Sequence, residues 1–284
     1  MNNYEKLEGM VAATFTPLDE NGDVNLSVID KYADWIASTP IKGVFVCGTT
    51  GEFSSLTIDE RKLILEKWLV SARKRFKVIA HVGSNCQRSA MELARHAAQV
   101  GADAIASIAP SFFKPGTVDE LVDFFAPICH SAAGLPFYYY NMPSITGVNL
   151  PVDKFLVEGK KKIPNLVGTK FTHNNLMEMG VCIELEQHRF EVLHGYDEIL
   201  ISGLAMGAVA GVGSTYNYIP NVYQAIFDSM KMNDLETARH NQIKSIRTVE
   251  VIIKYGGGVR GGKAIMKLIG IDCGSCRLPI KPFS

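Results

Sequence analysis

Short apolar runs alternate with amphipathic segments along most of the chain. The runs are rich in valine, isoleucine, alanine and aromatic residues, and few polar positions interrupt them. Near-continuous apolarity of this kind is typical of strands that are covered on both faces, as in parallel sheets. The pattern predicts eight strands, at Met10–Thr16, Gly43–Cys47, Lys77–Val82, Ala104–Ala109, Pro136–Tyr140, Asn165–Lys170, Phe190–His194 and Ala208–Gly213.

Helices are predicted between these runs. The sequences "TIDE" at 57–60 and "TVDE" at 117–120 have the spacing of a capping box, in which a threonine and a glutamate satisfy backbone N–H groups at a helix start. Apolar residues between Ala90 and Val100 follow helical spacing, and Gly101 suits the end of that helix. Residues from about 219 to 270 also have a helical pattern, and a tail that contains proline follows them.

The order of these elements predicts an α/β protein, a (β/α)8 TIM barrel with additional C-terminal helices. Eight strand–helix units in 284 residues fit a single barrel with additions. An open doubly wound sheet also alternates strands and helices, but the strand number favours the barrel and no GxGxxG follows the first strand. We expect residues 1–218 to form the barrel and residues 219–284 to form a helical extension packed on it, within one structural unit.

Composition argues against several classes of function. Basic and acidic residues number 29 each, and no basic stretch suggests a nucleic-acid partner. Hydrophobic residues make up 47% of the chain, yet no apolar run is long enough to span a bilayer. The stretch "MNNYEKLEG" lacks the layout of a signal peptide, and the six cysteines are scattered rather than arranged as a disulfide framework. We therefore expect a cytoplasmic protein with no membrane and no nucleic-acid partner.

A glycine-flanked turn follows the second predicted strand. In the sequence "GTTGE", the hydroxyls of Thr49 and Thr50 stand among several backbone N–H groups. A barrel places its chemistry where strands end, and N–H groups directed into a small concavity favour an anion. The turn is therefore a candidate carboxylate site, although a tight loop with capping threonines is the simpler explanation of the motif taken alone.

A lysine ends the sixth predicted strand, in the sequence "NLVGTKFTH" at 165–173. Burying an ammonium group is costly because the group loses its hydration. Lys170 is therefore either an ordinary solvated lysine at a strand tip or an amine kept partly dry so that it is a nucleophile. Thr172 follows two residues later, on the same side of an extended chain.

Three other predicted strands end in polar residues that have two interpretations. Tyr140 shares a strand face with Tyr138, and packing is the usual role of such tyrosines. Asp197 and Glu198 follow the seventh strand, where acids commonly interact with a helix dipole, and Ser214 follows the eighth. Together an amine, a phenol, an anion site and hydroxyl-binding acids at one barrel face suit Schiff-base chemistry on a small keto acid, which needs no metal or organic cofactor.

These motifs resemble a known family. "GTTGE", "YYYNMPSITG", "VGTKFT" and "HGYDE" with "GSTYN" are similar, in the same order, to the dihydrodipicolinate synthase and N-acetylneuraminate lyase superfamily of class I pyruvate aldolases. The resemblance extends from about Val11 to the C-terminal tail, and "GYDE" with "GSTYN" resembles the branch that cleaves sialic acid. It implies a carbon–carbon lyase of sialic acid catabolism, a homotetramer that reversibly cleaves N-acetylneuraminate to N-acetylmannosamine and pyruvate.

The resemblance also implies roles for individual residues. Lys170 would form the Schiff base with pyruvate, and Tyr140 would transfer protons at the substrate oxygen. Thr49 and Thr50 would hold the pyruvate carboxylate. Acceptor carboxylates among the remaining residues suit a polyol, because they accept hydrogen bonds from several hydroxyls. The residues that would hold the sugar portion are Thr172, Gly195, Asp197, Glu198 and Ser214.

Two positions differ from the synthase branch of the family. That branch has an arginine between the serine and threonine of "YNxPSRTG", where this chain has Ile145, which cannot make a bidentate contact with a carboxylate. It also uses a tyrosine from a neighbouring subunit, where "PSFFKP" offers Phe112 and Phe113, which have no transferable proton. Both differences argue against a semialdehyde substrate.

Two alternatives to the sialic acid lyase remain at this point. The first is another pyruvate-dependent enzyme of the same superfamily, either dihydrodipicolinate synthase or a 2-keto-3-deoxy sugar acid aldolase. The second is a non-catalytic sugar-acid-binding protein on the same barrel. The presence of both Lys170 and Tyr140 argues against the second, since a binding protein needs neither.

Three further signals are assigned no chemistry. "GGVRGGKA" at 257–264 nearly matches a phosphate-binding loop, but Ala264 lacks the hydroxyl that would bind Mg²⁺ and the preceding residues have a helical pattern, so we expect a loop that opens a helix. "CGSC" at 273–276 is a single CxxC without a second ligand pair, and the seven histidines show no clustered metal spacing. His173 is either a solvated loop histidine or a support for the lysine strand.

Overall fold

The computed structural model describes residues 4–132 and 134–283. Within these ranges eight parallel strands close into a barrel, in the order in which they occur along the chain. The strands are β1 (Gly9–Ala13), β2 (Gly43–Val46), β3 (Lys77–His81), β4 (Ala104–Ile108), β5 (Phe137–Asn141), β6 (Leu166–Phe171), β7 (Glu191–His194) and β8 (Ala210–Gly213). The predicted TIM barrel is confirmed, and the open doubly wound sheet is excluded.

The strand ends differ from the predicted ends by at most three residues. The largest difference is in β1, which ends at Ala13, although Phe15 and Thr16 beyond it are also buried. The predicted strand was too long because these residues are buried without belonging to β1. Conversely, β5 and β6 each extend one residue further than predicted, because Asn141 pairs with Phe171 across the ladder.

Helices connect the strands, and the described residues contain eleven of them. Short 3-10 turns at Phe53–Ser55, Asp197–Ile199 and Thr215–Asn217 precede α2, α8 and α9. The helices are α1 (Val28–Ala37), α2 (Ile58–Ala72), α3 (Gln87–Gln99), α4 (Val118–Ser131), α5 (Pro143–Thr146), α6 (Val152–Lys162), α7 (Leu176–Glu184), α8 (Leu200–Ala205), α9 (Pro220–Lys231), α10 (Leu235–Lys254) and α11 (Gly258–Leu268). The last three confirm the helical pattern predicted after residue 219.

Local sequence signals set several helix ends. At the start of α2, the Glu60 N–H donates to Thr57 Oγ1 over 3.2 Å and the Thr57 N–H donates to Glu60 Oε2 over 2.8 Å. Thr117 and Glu120 make the same pair of bonds at the start of α4. Gly101 has a φ of +82°, a left-handed conformation that favours glycine, just beyond the end of α3. Both capping boxes and the predicted stop of α3 are confirmed.

The "GGVRGGKA" segment differs from its prediction. It lies almost wholly inside α11, which begins at Gly258, and not in a loop. Gly256 and Gly257, with φ values of +92° and +95°, make the turn immediately before the helix. Two glycines at positive φ reverse the chain in fewer residues than the expected loop needs.

The tyrosines of β5 alternate between the two faces of the strand. Tyr139 packs among the rings of Phe125 and Phe155, with centroid distances of 5.5 and 4.7 Å. Tyr138 donates instead to the buried carboxyl of Glu191 over 3.0 Å. These separate environments agree with the prediction that Tyr138 and Tyr140 share the face opposite Tyr139, because successive strand residues point to opposite faces.

The chain divides into two compact units. The first comprises Ile79–Tyr196 and Ser202–Gly211 together with the residues up to Glu8, and it contains β4 to β7. The second comprises Gly9–Val78, Asp197–Ile201 and the residues from Val212 onward, and it contains β1, β2 and the helices α9 to α11. The predicted boundary between residues 218 and 219 stays a prediction. Among residues 4–132 and 134–283, no helix is long and apolar enough to cross a membrane.

Candidate active site

A buried amine lies against a phenol ring at the carboxyl ends of two neighbouring strands. Tyr140 on β5 pairs with Lys170 on β6 across the parallel ladder. The Nζ atom of Lys170 lies 4.0 Å from the centroid of the Tyr140 ring, and only 5% of the lysine is exposed to solvent. The interpretation of Lys170 as a solvated strand tip is therefore excluded. A lysine in so little water is the kind that proteins use as a nucleophile.

The ring of Tyr140 is held on more than one side. Its hydroxyl donates to Met142 Sδ over 3.0 Å. His81, at the end of β3, meets the same ring edge-on, with 5.9 Å between centroids and an interplanar angle of 84°. Inward-facing side chains of alternate strands fill one layer of a TIM barrel, which explains how β3 and β5 bring these two rings together. Sequence reasoning missed His81, because a lone histidine at the end of an apolar run carries no sign of its neighbour.

Thr172 presents a buried hydroxyl two residues beyond the lysine. The Gly195 N–H donates to the carbonyl of Phe171 over 2.9 Å, which brings residue 195 next to Thr172. A Cβ at Gly195 would lie 1.9 Å from Thr172 Oγ1, so only glycine leaves room for the hydroxyl. Within the described residues, Thr172 Oγ1 has no hydrogen-bond partner. A buried polar atom left unsatisfied costs about 1–3 kcal/mol, so this hydroxyl is suited to a polar group of a ligand.

The "GTTGE" turn that follows β2 is tightly built. Thr49 and Thr50 are half-buried, and the Glu52 N–H donates back to the carbonyl of Thr49 over 3.1 Å. A Cβ at Gly51 would lie 3.1 Å from both the Cα of Cys47 and the carbonyl oxygen of Thr14, so a side chain there would push the turn open. The backbone of the turn therefore has little room to move, which suits a loop whose N–H and hydroxyl groups would hold an anion.

The acids after β7 differ in their surroundings. Asp197 is buried, and its Oδ2 accepts hydrogen bonds from the N–H and the hydroxyl of Thr215, over 2.9 and 2.5 Å. A Cβ at Gly213 would lie 1.8 Å from Asp197 Oδ1, so the end of β8 must be glycine where it passes the carboxylate. Glu198 and Ser214 are half-buried. At least one oxygen of Asp197 is therefore bound by the protein itself, whereas Glu198 is the more accessible carboxylate.

The nine predicted site residues fall into two groups. Each lies at the carboxyl end of a strand or in the loop that follows it, as the barrel rule predicts. The first unit brings together Lys170, Tyr140, Thr172 and Gly195. The second unit contains Thr49, Thr50, Asp197, Glu198 and Ser214.

The positions that distinguish this chain from the synthase branch are exposed. Ile145 lies in the short helix α5 directly after β5, with 62% of its surface accessible. Phe112 and Phe113 are also exposed and meet edge-to-face, with 5.0 Å between ring centroids. His173 is half-buried, with its Nδ1 4.0 Å from Glu178 Oε2, so it is not simply a solvated loop residue.

The two cysteines of "CGSC" are not reactive thiols. Burial raises the pKa of Cys273 to about 12 and that of Cys276 to about 11, so both stay protonated near neutral pH. In residues 4–132 and 134–283, no group of three or more histidine, cysteine, aspartate or glutamate side chains is arranged to hold a metal ion.

Comparison with known proteins identifies the family. A sequence profile of the dihydrodipicolinate synthetase family matches residues 6–284. The chain is also similar to the N-acetylneuraminate lyase of Mus musculus, with 43% identity over 281 residues, which make up 98% of this chain and 88% of the mouse protein. This chain belongs to the dihydrodipicolinate synthetase family, and the resemblance inferred from its motifs is confirmed.

Solved structures agree with this assignment. The N-acetylneuraminate lyase of Proteus mirabilis superposes with a TM-score of 0.96 at 37% identity, covering 99% of this chain and 94% of that one. A catalytic lysine mutant of the Ruminococcus gnavus sialic acid aldolase superposes with a TM-score of 0.95 at 27% identity, covering 100% and 93% of the two chains.

Proposed function

We propose that this chain reversibly cleaves N-acetylneuraminate to N-acetylmannosamine and pyruvate through a Schiff base on Lys170. The observation that carries the proposal is the amine of Lys170, buried at the end of β6 and 4.0 Å from the ring centroid of Tyr140. The N-acetylneuraminate lyases of mouse and Proteus mirabilis, which align over nearly the whole chain, support the substrate. The Ruminococcus gnavus aldolase, whose catalytic lysine was mutated, supports the use of a lysine.

The first step joins the amine to the substrate ketone. The neutral amine of Lys170 adds to C2 of the open-chain sugar acid and gives a carbinolamine. Tyr140 donates its phenolic proton to the leaving hydroxyl, so water departs and a protonated imine remains beside a phenolate. The imine withdraws electrons from C3, which the ketone alone does less well.

The second step breaks the carbon–carbon bond. The Tyr140 phenolate takes the proton of the C4 hydroxyl while the electron pair of the C3–C4 bond moves into the imine. N-acetylmannosamine leaves as the aldehyde, and an enamine of pyruvate remains on Lys170. Return of the tyrosine proton to C3, followed by addition of water, releases pyruvate and restores the amine. A positioned acid–base group of this kind contributes roughly 10²–10⁴-fold to the rate.

The two ends of the substrate require different contacts. For the carboxylate we propose Thr49 and Thr50, whose turn offers hydroxyl and N–H donors. The polyol end is neutral and rich in hydroxyls, so carboxylates and hydroxyls suit it and a guanidinium does not. The residues proposed to contact this end are Thr172, Gly195, Asp197, Glu198 and Ser214.

The alternative functions are less well supported. Dihydrodipicolinate synthase would need a charged anchor for its semialdehyde, and the exposed Ile145 provides none. A sugar-acid-binding protein has no use for a buried amine against a phenol. The relatives that align with this chain at about 40% identity over almost its full length are N-acetylneuraminate lyases, which favours the lyase over both alternatives.

The purified protein tests this proposal directly. With N-acetylneuraminate it should release pyruvate, and borohydride in the presence of pyruvate should leave a stable adduct on Lys170, which peptide mass spectrometry locates. Lys170→Met should form no adduct and should release no pyruvate. An adduct on another residue, or faster condensation of pyruvate with aspartate semialdehyde than cleavage of N-acetylneuraminate, would contradict the proposal.

We also propose that the protein acts in the cytoplasm as a homotetramer. The resemblance to the aldolase superfamily supports the tetramer. Light scattering on the purified protein measures its mass, and four times the chain mass of 31.2 kDa is expected. Cell fractionation should recover the protein with cytoplasmic markers.

A further inference from the structure

A buried ion pair joins the "GTTGE" turn to helix α11. The Nζ atom of Lys263 lies 2.7 Å from Glu52 Oε1, and each side chain is only 2% exposed. Lys263 Nζ also donates to the carbonyl of Ser275 over 2.8 Å, and Glu52 Oε2 accepts from the backbone N–H of Arg277 over 2.9 Å. The C-terminal segment 275–277 therefore holds both members of the pair.

Stability alone is a poor reason for this pair. Taking two charges out of water costs several kcal/mol per ion, and well-packed apolar residues of similar volume are often at least as stabilising. The same helix carries an ordinary alternative, since Lys267 pairs with Asp272 over 2.8 Å while both side chains remain more than half exposed. The position of Glu52, inside the candidate carboxylate turn, suggests a role in that turn.

The unassigned "GGVRGGKA" segment now has a structural explanation. A Cβ at Gly262 would lie 2.3 Å from the Phe15 ring, and one at Gly261 would lie 3.1 Å from Ile252. The two glycines therefore let α11 approach these neighbours closely enough for the next residue, Lys263, to be buried. The segment is similar in sequence to a phosphate-binding loop, but its glycines allow close packing around a buried lysine.

Glu52 is well placed to hold the turn. It is a non-glycine residue in the left-handed region, with a φ of +57°, and such a conformation persists only when the surroundings enforce it. Its N–H donates to the carbonyl of Thr49, and the Thr16 hydroxyl fixes the adjacent carbonyl of Gly51 over 2.7 Å. Fixing the side chain of Glu52 therefore fixes the backbone that carries the two threonines.

We propose that Glu52 and Lys263 are positioning residues that hold Thr49 and Thr50 for the carboxylate of pyruvate. This inference rests on the proposed function, because it takes the turn as the carboxylate site. The lysine has two effects. It anchors Glu52 to α11, and its positive charge neutralises the Glu52 carboxylate. Without that neutralisation, the carboxylate would repel a substrate anion held at Thr50, two residues earlier in the chain. Loss of Lys263 therefore disturbs both the shape and the charge of the turn.

The test measures pyruvate binding separately from folding. Wild type, Lys263→Met, Glu52→Gln/Lys263→Met and the control Lys267→Met are titrated with pyruvate and trapped with borohydride, and the adduct on Lys170 is quantified. Lys263→Met should raise the half-saturating pyruvate concentration about tenfold with the same maximal adduct, because a small displacement of a binding group has effects of this size. The double variant should fall between Lys263→Met and wild type, since it removes the repulsion but not the loss of anchoring. Lys267→Met should match wild type.

Thermal melting of each variant separates positioning from stability. Variants that melt earlier but keep the wild-type half-saturation would overturn the inference and show that the pair is structural. If Lys263→Met does not fold, the double variant decides alone: a raised half-saturation supports the inference and a wild-type value overturns it. If wild type forms no adduct on Lys170, the proposed function fails and this inference fails with it.

Discussion

At the scale of single residues, we expect the chemistry to depend on the hydroxyl of Tyr140. Tyr140→Phe keeps the ring that meets His81 and the lysine amine, so the variant should fold normally and still trap pyruvate, although slowly. It should lower kcat for N-acetylneuraminate cleavage by roughly 10²–10⁴-fold, because it removes the proton donor and acceptor. Tyr139→Phe, which alters a ring on the opposite strand face, should leave kcat unchanged. A near-normal kcat for Tyr140→Phe would show that this tyrosine serves only packing.

We expect substrate specificity to depend on the two acids after β7. Glu198→Gln should lower kcat/KM for N-acetylneuraminate by about tenfold or more, because a buried or half-buried acceptor discriminates by 1–3 kcal/mol against a mismatched partner. Asp197→Asn should lower it as well and should also destabilise the protein, since Asp197 Oδ2 accepts two bonds from Thr215. Both variants should keep the wild-type pyruvate adduct on Lys170. Unchanged cleavage in both would remove these acids from the sugar site.

Sequence alone identified some of these residues and not others. Lys170 was recognisable because a charged residue at the end of an apolar strand is unusual, and its burial excludes the interpretation of a solvated strand tip. His81 and Glu52 carried no such sign. The contacts that distinguish them are with residues far away in sequence, Tyr140 for the histidine and Lys263 for the glutamate. Local patterns of polarity cannot predict contacts of that kind.

At the scale of elements, glycines decide how closely the loops approach. Gly195→Ala would place a Cβ 1.9 Å from Thr172 Oγ1 and 3.0 Å from the carbonyl oxygen of Phe171. We expect a loss of about 1–3 kcal/mol in unfolding free energy, as overpacking of this kind usually causes, and a raised KM for N-acetylneuraminate. Chemical denaturation and steady-state kinetics measure the two effects.

Two further variants make the Gly195 prediction specific. Gly258→Ala, at a helix position where a Cβ meets nothing within 4 Å, should cause neither effect. Thr172→Ala combined with Gly195→Ala should recover only part of the stability and should not recover KM, because it removes the hydroxyl while the Cβ of residue 172, at 2.8 Å, and the Phe171 carbonyl oxygen, at 3.0 Å, still crowd the new Cβ. Equal stability of wild type and Gly195→Ala would contradict the described approach of Gly195 to Thr172.

The elements themselves were largely predictable. Eight strands, two capping boxes and the C-terminal helices all follow from apolar runs and local capping signals. The exact ends of the strands could not be predicted. Phe15 and Thr16 are buried without belonging to β1, and Asn141 and Phe171 extend β5 and β6 only because they pair with each other. Strand ends depend on the neighbouring strand, which periodicity along one segment does not contain.

At the scale of the whole molecule, the family assignment and the enzyme class are confirmed. The fold is a TIM barrel with C-terminal helices, and its relatives are carbon–carbon lyases. The C-terminal region contacts the barrel loops directly, because α11 and the segment 275–277 bind Glu52 in the turn after β2. The compartment and the homotetramer stay predictions.

Acid stability of the whole protein should depend on one buried histidine. His194 ends β7, and a Cβ at Gly203 would lie 2.5 Å from its ring, so the imidazole is closely packed. Burial lowers the pKa of His194 from 6.5 to about 4. Between these values the unfolded chain takes up a proton that the folded chain does not, so stability falls as the pH falls from 6.5 to 4. The full effect is about 3 kcal/mol.

Urea unfolding at pH 7, 6, 5 and 4 measures this dependence. Replacement of His194 by Asn removes the titrating group, so the variant should be less stable at pH 7 but should lose less stability than wild type between pH 6.5 and 4. Glu60, whose pKa the Arg277 guanidinium lowers from 4.5 to about 2, also destabilises on acidification, but mainly below this window. The buried Glu191, whose pKa burial raises, acts in the opposite sense, because its folded form holds a proton more readily. His188→Asn, at an exposed position, is the control, and its stability should change with pH as that of wild type does. If the unfolding free energies of wild type and His194→Asn fall equally between pH 6.5 and 4, His194 does not govern the loss of stability in acid.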